Sequence, residues 1–520
     1  MSLARNIATV GSATLVSRLL GFLRDVGIAA ALGTSVFSDA LFAVLQIANF
    51  FRRLLAEGAF NGAFVPLWLH IKADAGNIAA GRFLQEAFVA MLVSAGALAA
   101  LGFLFAPAVI DALAPGFGAT RHALAVQYLR ITSPYVALAG VVAVLAALLN
   151  AHQRFLAVAL GVVAFNAVLL AALIEAAAFG GAPEPPRVAA TLAYAVVIAG
   201  AAQLVVAAFG LRGLRLHARP FHLGFSADTR RLFVRAVPGL IAAGIPQLKL
   251  IAGTMVASSS PAAVSWLYYA NRLYELPLGV VAVATASVLV PAIAAGVRSG
   301  EHDAIASAQS RGLEIVLGLA IPAAVAFGVL AAPIARTLFE RGAFGPTDTA
   351  AVAAALAAIC AGLPGHTLEK MLGAVSFAHE DTRTPMFAAL AGLAAAIAGA
   401  LVLFPRHGAT GVAAAIAISG WVGATALGLV LHRRGWLKLE RAALRRLPLI
   451  VLAAAVMGVA ILALGAMLPH ESASQLGRIA GLALLVVLGL AVYLTTLWLT
   501  GVMRLDAVRS VIAERRQLGG

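Results

Sequence analysis

Apolar residues fall in long continuous blocks along this chain, not in the alternating pattern of half-buried strands. About fourteen blocks stand out, near residues 7–32, 36–69, 84–110, 122–150, 155–178, 188–211, 232–257, 262–296, 310–335, 348–374, 385–404, 409–431, 447–468 and 479–503. A helix rises 1.5 Å per residue, so about 20 apolar residues cross a ~30 Å hydrocarbon layer. Lipid offers no partner to backbone N–H and C=O groups, and a span must therefore be a helix or part of a closed barrel. Unbroken runs rich in Ala, Leu and Gly point to helices. The pattern predicts an all-α polytopic membrane protein with about 14 transmembrane helices.

Polar residues interrupt these blocks at specific places. The second block contains Ala48–Phe64, "ANFFRRLLAEGAFNGAF", with Arg52, Arg53 and Glu57 well inside it. At helical spacing Asp39, Gln46, Asn49, Arg53, Glu57 and Asn61 form one stripe, with Arg52 about 100° away. Gly58 and Gly62 make a small face suited to close helix contact. The first block holds "SRLLGFLRD", where Arg18 and Asp25, seven residues apart, share a face and Arg24 lies beside them. The eighth adds Tyr268, Arg272 and Glu275 just before Pro277. One arginine at a span centre costs about 2.5–3.5 kcal/mol, so several together need a wet cavity or partners.

Composition supports the membrane reading. Of 520 residues, 62% are hydrophobic and 11% charged, where soluble domains carry about 25% charged residues. The net charge of +15 would suggest nucleic acid in a soluble protein. Here the basic residues cluster in alternate connections, at Arg212–Arg231, Arg433–Arg446 and Arg504–Arg516. Arg121, Arg187, Arg336, Arg341, Arg406 and Arg478 fall on the opposite side. In all about 24 of the 37 basic residues fall on the first side and about six on the other; this bias of about four to one supports cytoplasmic termini and accounts for the charge without a nucleic-acid partner. The single cysteine, Cys360, excludes disulfides and paired-cysteine metal sites within the chain. No phosphate-binding Gly-rich loop or His-Glu-x-x-His is present, and the 11 histidines are scattered and mostly in loops, such as His70, His152, His217, His222, His379 and His470. No catalytic set, metal site or cofactor is expected, and the chain reads as a non-enzyme.

A faint internal repeat pairs "LQIANFFRRL" (Leu45–Leu54) with "LYYANRLYEL" (Leu267–Leu276). It predicts two pseudo-symmetric six-helix lobes around a central cavity, residues 1–222 and 223–440. Residues 441–520 add two helices and a cytoplasmic tail. Repeats of this kind build transporters with a site at the repeat interface. The candidate substrate-binding residues are Arg18, Arg24, Arg52, Arg53 and Arg272, with Asp25, Asp39, Asn49, Glu57 and Glu275 as their partners. Arginine suits phosphate because its planar fork donates two hydrogen bonds and stays charged. The implied ligand is a phosphate or diphosphate; the rival reading is a purely structural ion-pair network.

The same residues carry a family likeness. "SRLLGFLRD", "RRLLAEGAFNGAFVP", "LYYANRLYELPLGV", "LFERGAFGPTDT" (Leu338–Thr349) and "HEDTRTP" (His379–Pro385) resemble the MurJ (MviN) family of bacterial lipid II flippases. That family lies in the multidrug/oligosaccharidyl-lipid/polysaccharide exporter superfamily. The resemblance implies movement of an undecaprenyl-diphosphate-linked peptidoglycan precursor, lipid II, across the inner membrane by alternating access. It maps the family's essential cavity arginines onto Arg18, Arg24, Arg52 and Arg272, and a lipid-tail groove onto residues 447–503. Partners would be membrane lipids and cell-wall synthesis proteins, the working unit a monomer, and the energy source membrane potential or a monovalent cation. Asn271 stands where many relatives have Asp, and Lys249 where a neutral polar residue is expected. No carboxylate lies between Gly239 and Ser260, so sodium coupling by that route lacks support. Alternatives are a flippase for another polyprenyl-linked oligosaccharide, a drug antiporter of the same fold, or a non-transporting scaffold. The excess of arginine over carboxylate argues against a cation exporter.

Overall fold

The computed structural model describes residues 3–56, 59–178, 184–214, 224–284, 293, 302–467 and 474–503. Among them every regular element is an α-helix. The chain forms two compact units, Met1–Ser265 with Arg341–Gly345, and Trp266–Glu340 with Pro346–Gly520.

The first unit contains α1 (Leu3–Leu32), α2 (Val36–Ala56), α3 (Ala59–Leu104), α4 (Ala106–Leu113), α5 (Ala119–Thr132), α6 (Pro134–Ala151), α7 (Phe155–Ala178), α8 (Pro185–Gly210) and α9 (Ala227–Ala257). Helix α7 packs on α1 and α8, α6 on α3, and α2 on α5 and α6. Helix α9 packs on α2 and α3 for identifiable reasons. Glu86 of α3 accepts from the Ser226 N–H (2.9 Å) and the Thr229 hydroxyl (2.7 Å), adding to the Ser226 side chain that caps the N-terminus of α9. Gln46 of α2 donates to Thr254 Oγ1 at 2.6 Å. The units thus divide at 265/266, whereas the boundary at 222/223 follows the internal repeat.

Some predicted blocks are subdivided. The 36–69 block becomes α2 and the first segment of α3. Gly76 then breaks α3 with φ 79° and ψ −178°, a conformation essentially confined to glycine. The 122–150 block is interrupted at Ser133, because Pro134 has no N–H to continue the ladder.

The second unit holds α10 (Ala263–Ala284), which starts at the boundary, then α11 (His302–Val329), α12 (Ala331–Phe339), α13 (Pro346–Cys360), α14 (Leu363–Ala378), α15 (Arg383–Arg433), α16 (Arg441–Met467) and α17 (Gln475–Leu499). Helix α14 packs on α15 and α11, and α16 on α11 and α17. Gly408, at φ 54°, breaks α15 in the predicted gap between 385–404 and 409–431. Each predicted block therefore has a helical counterpart. Nine stretches among the described residues are long and apolar enough to cross a membrane. Helices α1, α2, α9 and α10, which carry the in-span charges, are not among the nine. The outer faces of α16 and α17 expose Val459, Leu462, Val487 and Leu490, as hydrocarbon contact requires.

Two connections are tightly held. Asp381 caps α15, accepting from Arg383 N (3.0 Å), Thr384 N (3.1 Å), the Thr384 hydroxyl and Arg434. Burial alone would raise its pKa; the hydrogen bonds from Thr384, Arg434 and Arg383 outweigh that and pull it down to about 2. Beside it His379 stacks on Trp436 at 4.3 Å. The other connection, Arg341–Gly345, belongs to the first unit. Ala343 N–H donates to Ala30 O at 2.8 Å, and Phe344 is buried. Gly33 (φ +56°) and Gly342 (φ +58°) permit this approach: a Cβ on either would lie within 2.3 Å of backbone oxygen.

Candidate substrate site

Helix α1 is apolar apart from a few residues, yet it carries a charged pair in its second half. Arg24 wraps back onto its neighbour, donating to Asp25 Oδ1 through Nε (2.9 Å) and Nη2 (2.7 Å). Asp25 is fully buried and Arg24 only 13% exposed. Burying either charge alone would cost several kcal/mol, so each stabilises the other. The third contact comes from α7: Asn166 accepts from Arg24 Nη1 at 3.1 Å. Its amide nitrogen is tied to Ser17 O, Ser17 Oγ and Val162 O at 3.2–3.3 Å. Asn166 therefore orients the guanidinium while its own polar atoms are satisfied. Arg18 is exposed, and Asp25 takes Arg24 as its partner despite sharing a helix face with Arg18.

Arg52 and Arg53, near the end of α2, are both half-buried, with their Nε atoms shielded from solvent. The helical wheel separates them, but burial does not. Asn49 is half-buried one turn earlier. The stripe continues into α3, where Asn61 accepts from Asn150 of α6 at 3.3 Å. Glu57 and Gly58 lie outside the described residues, as do His217, His222 and His470.

Asp39 has a different setting from the rest of its stripe. It is fully buried in the first turn of α2. Its Oδ1 accepts from Ser265 N (3.0 Å) and Ser265 Oγ (2.7 Å), and its Oδ2 from Ala262 N (2.9 Å) and Arg121 Nη1 (3.3 Å). The carboxylate thus clasps the Ala262–Ser265 turn that follows α9, within the first unit. Arg121, counted in the sequence with the connections opposite the basic clusters, is buried in α5; it also donates to Ser260 O and lies 4.8 Å from the Phe117 ring centre.

In the second unit Arg272 pairs with Glu275 at 3.4 Å, both partly exposed. Asn271 donates to the same carboxylate at 3.5 Å, so Asn at this position supports Glu275. Lys249 of α9 is buried in the first unit. Among the described residues no three His, Cys, Asp or Glu side chains converge as metal ligands would. Sequence reasoning did not find Asn166, Arg121 or His366, the last lying inside α14 and bonded to Tyr274 at 2.9 Å.

A fold that is helical throughout its described residues, with nine stretches long and apolar enough to cross a membrane and an ion pair buried in an apolar helix, defines a polytopic membrane protein. Residues 28–476 match the family described as Lipid II flippase MurJ. A probable lipid II flippase MurJ of Rhizobium tropici is 36% identical over 99% of this chain and 98% of its own. One from Rhizobium meliloti is 40% identical over 89% and 86%. The chain belongs to the MurJ family. Its fold is similar to a solved lipid II flippase MurJ in an inward closed conformation, with TM-score 0.78 and 23% identity, covering 95% of this chain and 99% of that one. A multidrug-resistance MATE transporter in an inward-facing conformation follows at TM-score 0.67 and 14% identity, covering 81% and 98%.

Proposed function

We propose that this protein flips lipid II from the inner to the outer leaflet of the bacterial cytoplasmic membrane. The observation that carries this reading is the Arg24 guanidinium, buried in an apolar helix and held by Asp25 and Asn166, in a chain of the MurJ family. Relatives bearing the lipid II flippase name match nearly its whole length. A buried, oriented arginine held by Asp25 suits a diphosphate, which can take several forked hydrogen bonds at once.

In this proposal Arg18, Arg24, Arg52, Arg53 and Arg272 bind the diphosphate headgroup while the polyprenyl tail stays in lipid near residues 447–503. Asp25, Asn49, Glu57 and Glu275 hold the forks and offset the charge. Two symmetric halves, 1–222 and 223–440, rock to give alternating access. Both termini lie in the cytoplasm and the protein works as a monomer alongside cell-wall synthesis proteins. Membrane potential or a monovalent cation supplies the energy; one charge crossing the potential is worth about 2.3 kcal/mol per 100 mV.

The test is depletion of the native protein and rescue with Arg18→Ala, Arg24→Ala, Arg52→Ala and Arg272→Ala, each at wild-type abundance. The expected outcome is failed rescue with lipid-linked precursor accumulating in the inner leaflet. Full rescue by all four variants would refute arginine-based binding.

A further inference from the structure

His366 lies in α14, within the apolar span Pro346–Ala378, and the proposed function does not use it. Its Nδ1 sits 3.0 Å from Gly362 O, one turn back, and 2.9 Å from the Tyr274 hydroxyl of α10. That pair of oxygens assigns the tautomer. A bare Nδ1 would set its lone pair against the carbonyl oxygen, so the hydrogen resides on Nδ1. Nε2 is then the one ring position that takes a second proton.

The pocket for this ring is built. Tyr274 is 4% exposed. Across from α14, helix α15 presents glycine: a Cβ on Gly420 would come within 2.7 Å of the His366 ring, and one on Gly423 within 2.7 Å of the Glu369 carboxyl group. Two carboxylates stand close along the helices, Glu275 next to Tyr274 on α10 and Glu369 three residues after His366 on α14, the latter at a spacing that shares a helix face. Arg272 on α10 pairs with Glu275, and Lys370 follows Glu369 on α14. Helix α11, which also packs on α14, carries Asp303, Arg311 and Glu314 in its first half. Helix α15 brings no charged residue between Gly408 and His432.

We propose that His366 is a proton-binding site of the second unit, taking its proton on Nε2, and that this proton is linked through Tyr274 and Glu275 to anion binding at Arg272. Protonation places a cation on the α14 face that carries Glu369 and against Tyr274, whose chain neighbour Glu275 then neutralises Arg272 less. Arg272 becomes a stronger anion donor. By reciprocity, a bound diphosphate raises the proton affinity of His366. The linkage rests on the reading of Arg272 as a diphosphate ligand; the proton site itself does not.

The full chain in lipid nanodiscs, with undecaprenyl diphosphate as the probe, tests this at about pH 5.5 and about pH 8, either side of the ordinary imidazole range. Wild type is expected to bind on the order of tenfold tighter at the lower pH, within the usual span of site-to-site coupling. His366→Gln should bind at both pH values with that difference reduced below about twofold, which also subtracts the probe's own titration. A pH difference in His366→Gln equal to wild type's, or none in wild type, overturns the linkage. Absence of binding in wild type at either pH would instead overturn the functional proposal. Nitrogen-15 histidine spectra of the wild-type chain then test the proton site alone. One imidazole should keep Nδ1–H while Nε2 titrates, and a His366 ring neutral across the whole range overturns the site.

Discussion

Replacing Asp39 with Asn removes one charge and almost no volume, and the arrangement around it fixes the consequence. Each carboxylate oxygen takes two donors, Ser265 N and Oγ on one side, Ala262 N and Arg121 Nη1 on the other. An amide offers one oxygen and one NH2. Whichever way it turns, one pair of donors faces another donor. Each stranded buried donor costs about 1–3 kcal/mol, and Arg121 also loses its counter-charge. Removing one partner of a buried pair costs about 3–5 kcal/mol in general, so Asp39→Asn should destabilise the protein by about that amount. SDS titration of the purified protein in micelles, followed by tryptophan fluorescence, measures it. A double-mutant cycle with Arg121→Met should return a coupling of about 0.5–3 kcal/mol. If Asp39→Asn stays within about 0.5 kcal/mol of wild type and loses only transport, the clasp argument is refuted. Asp39 would then act with the rest of its stripe.

Two further expectations are narrower. Asn166→Ala deletes a hydrogen bond to a charged group, worth about 1.5–3 kcal/mol, and frees the Arg24 fork; rescue after depletion should fall on the order of tenfold to a hundredfold at unchanged abundance, and wild-type rescue would show that Asn166 positions nothing. Asp381, with its pKa lowered from 3.8 to about 2, contributes stability that is fully present above pH 3.8 and lost as pH falls through 2. The linkage amounts to about 2 kcal/mol at most, so Asp381→Asn should lower stability by up to that at neutral pH and remove the acid-side slope in unfolding experiments.

The spans were legible because a hydrocarbon solvent imposes one rule on every segment, and even the break at Gly408 showed as a gap between blocks. The break at Gly76 did not, since one glycine among many apolar residues looks ordinary until its φ is known. Arg24 and Asp25 announced themselves as charges in an apolar run. Asn166 did not, because its role comes from α7 lying against α1, a pairing 142 residues apart. Arg121 was misplaced for a related reason. Sequence counts it with the loop charges; only the fold brings Asp39 of α2 to it and makes burial tolerable. His366 was hidden by its span, where no charge pattern marks a titratable ring that bonds to a tyrosine on another helix.

The excursion at Arg341–Gly345 bears on biogenesis. The first unit takes these five residues as its own, and its Ala30 carbonyl waits for Ala343. They emerge from the ribosome roughly 80 residues after Ser265, several seconds at ordinary elongation rates. The N-terminal unit therefore cannot finish packing while it is the newest part of the chain. A fragment ending at Ser265 would expose the α1 terminus that Phe344 and its neighbours cover. Splitting the gene there should give two polypeptides that fold well only when made together.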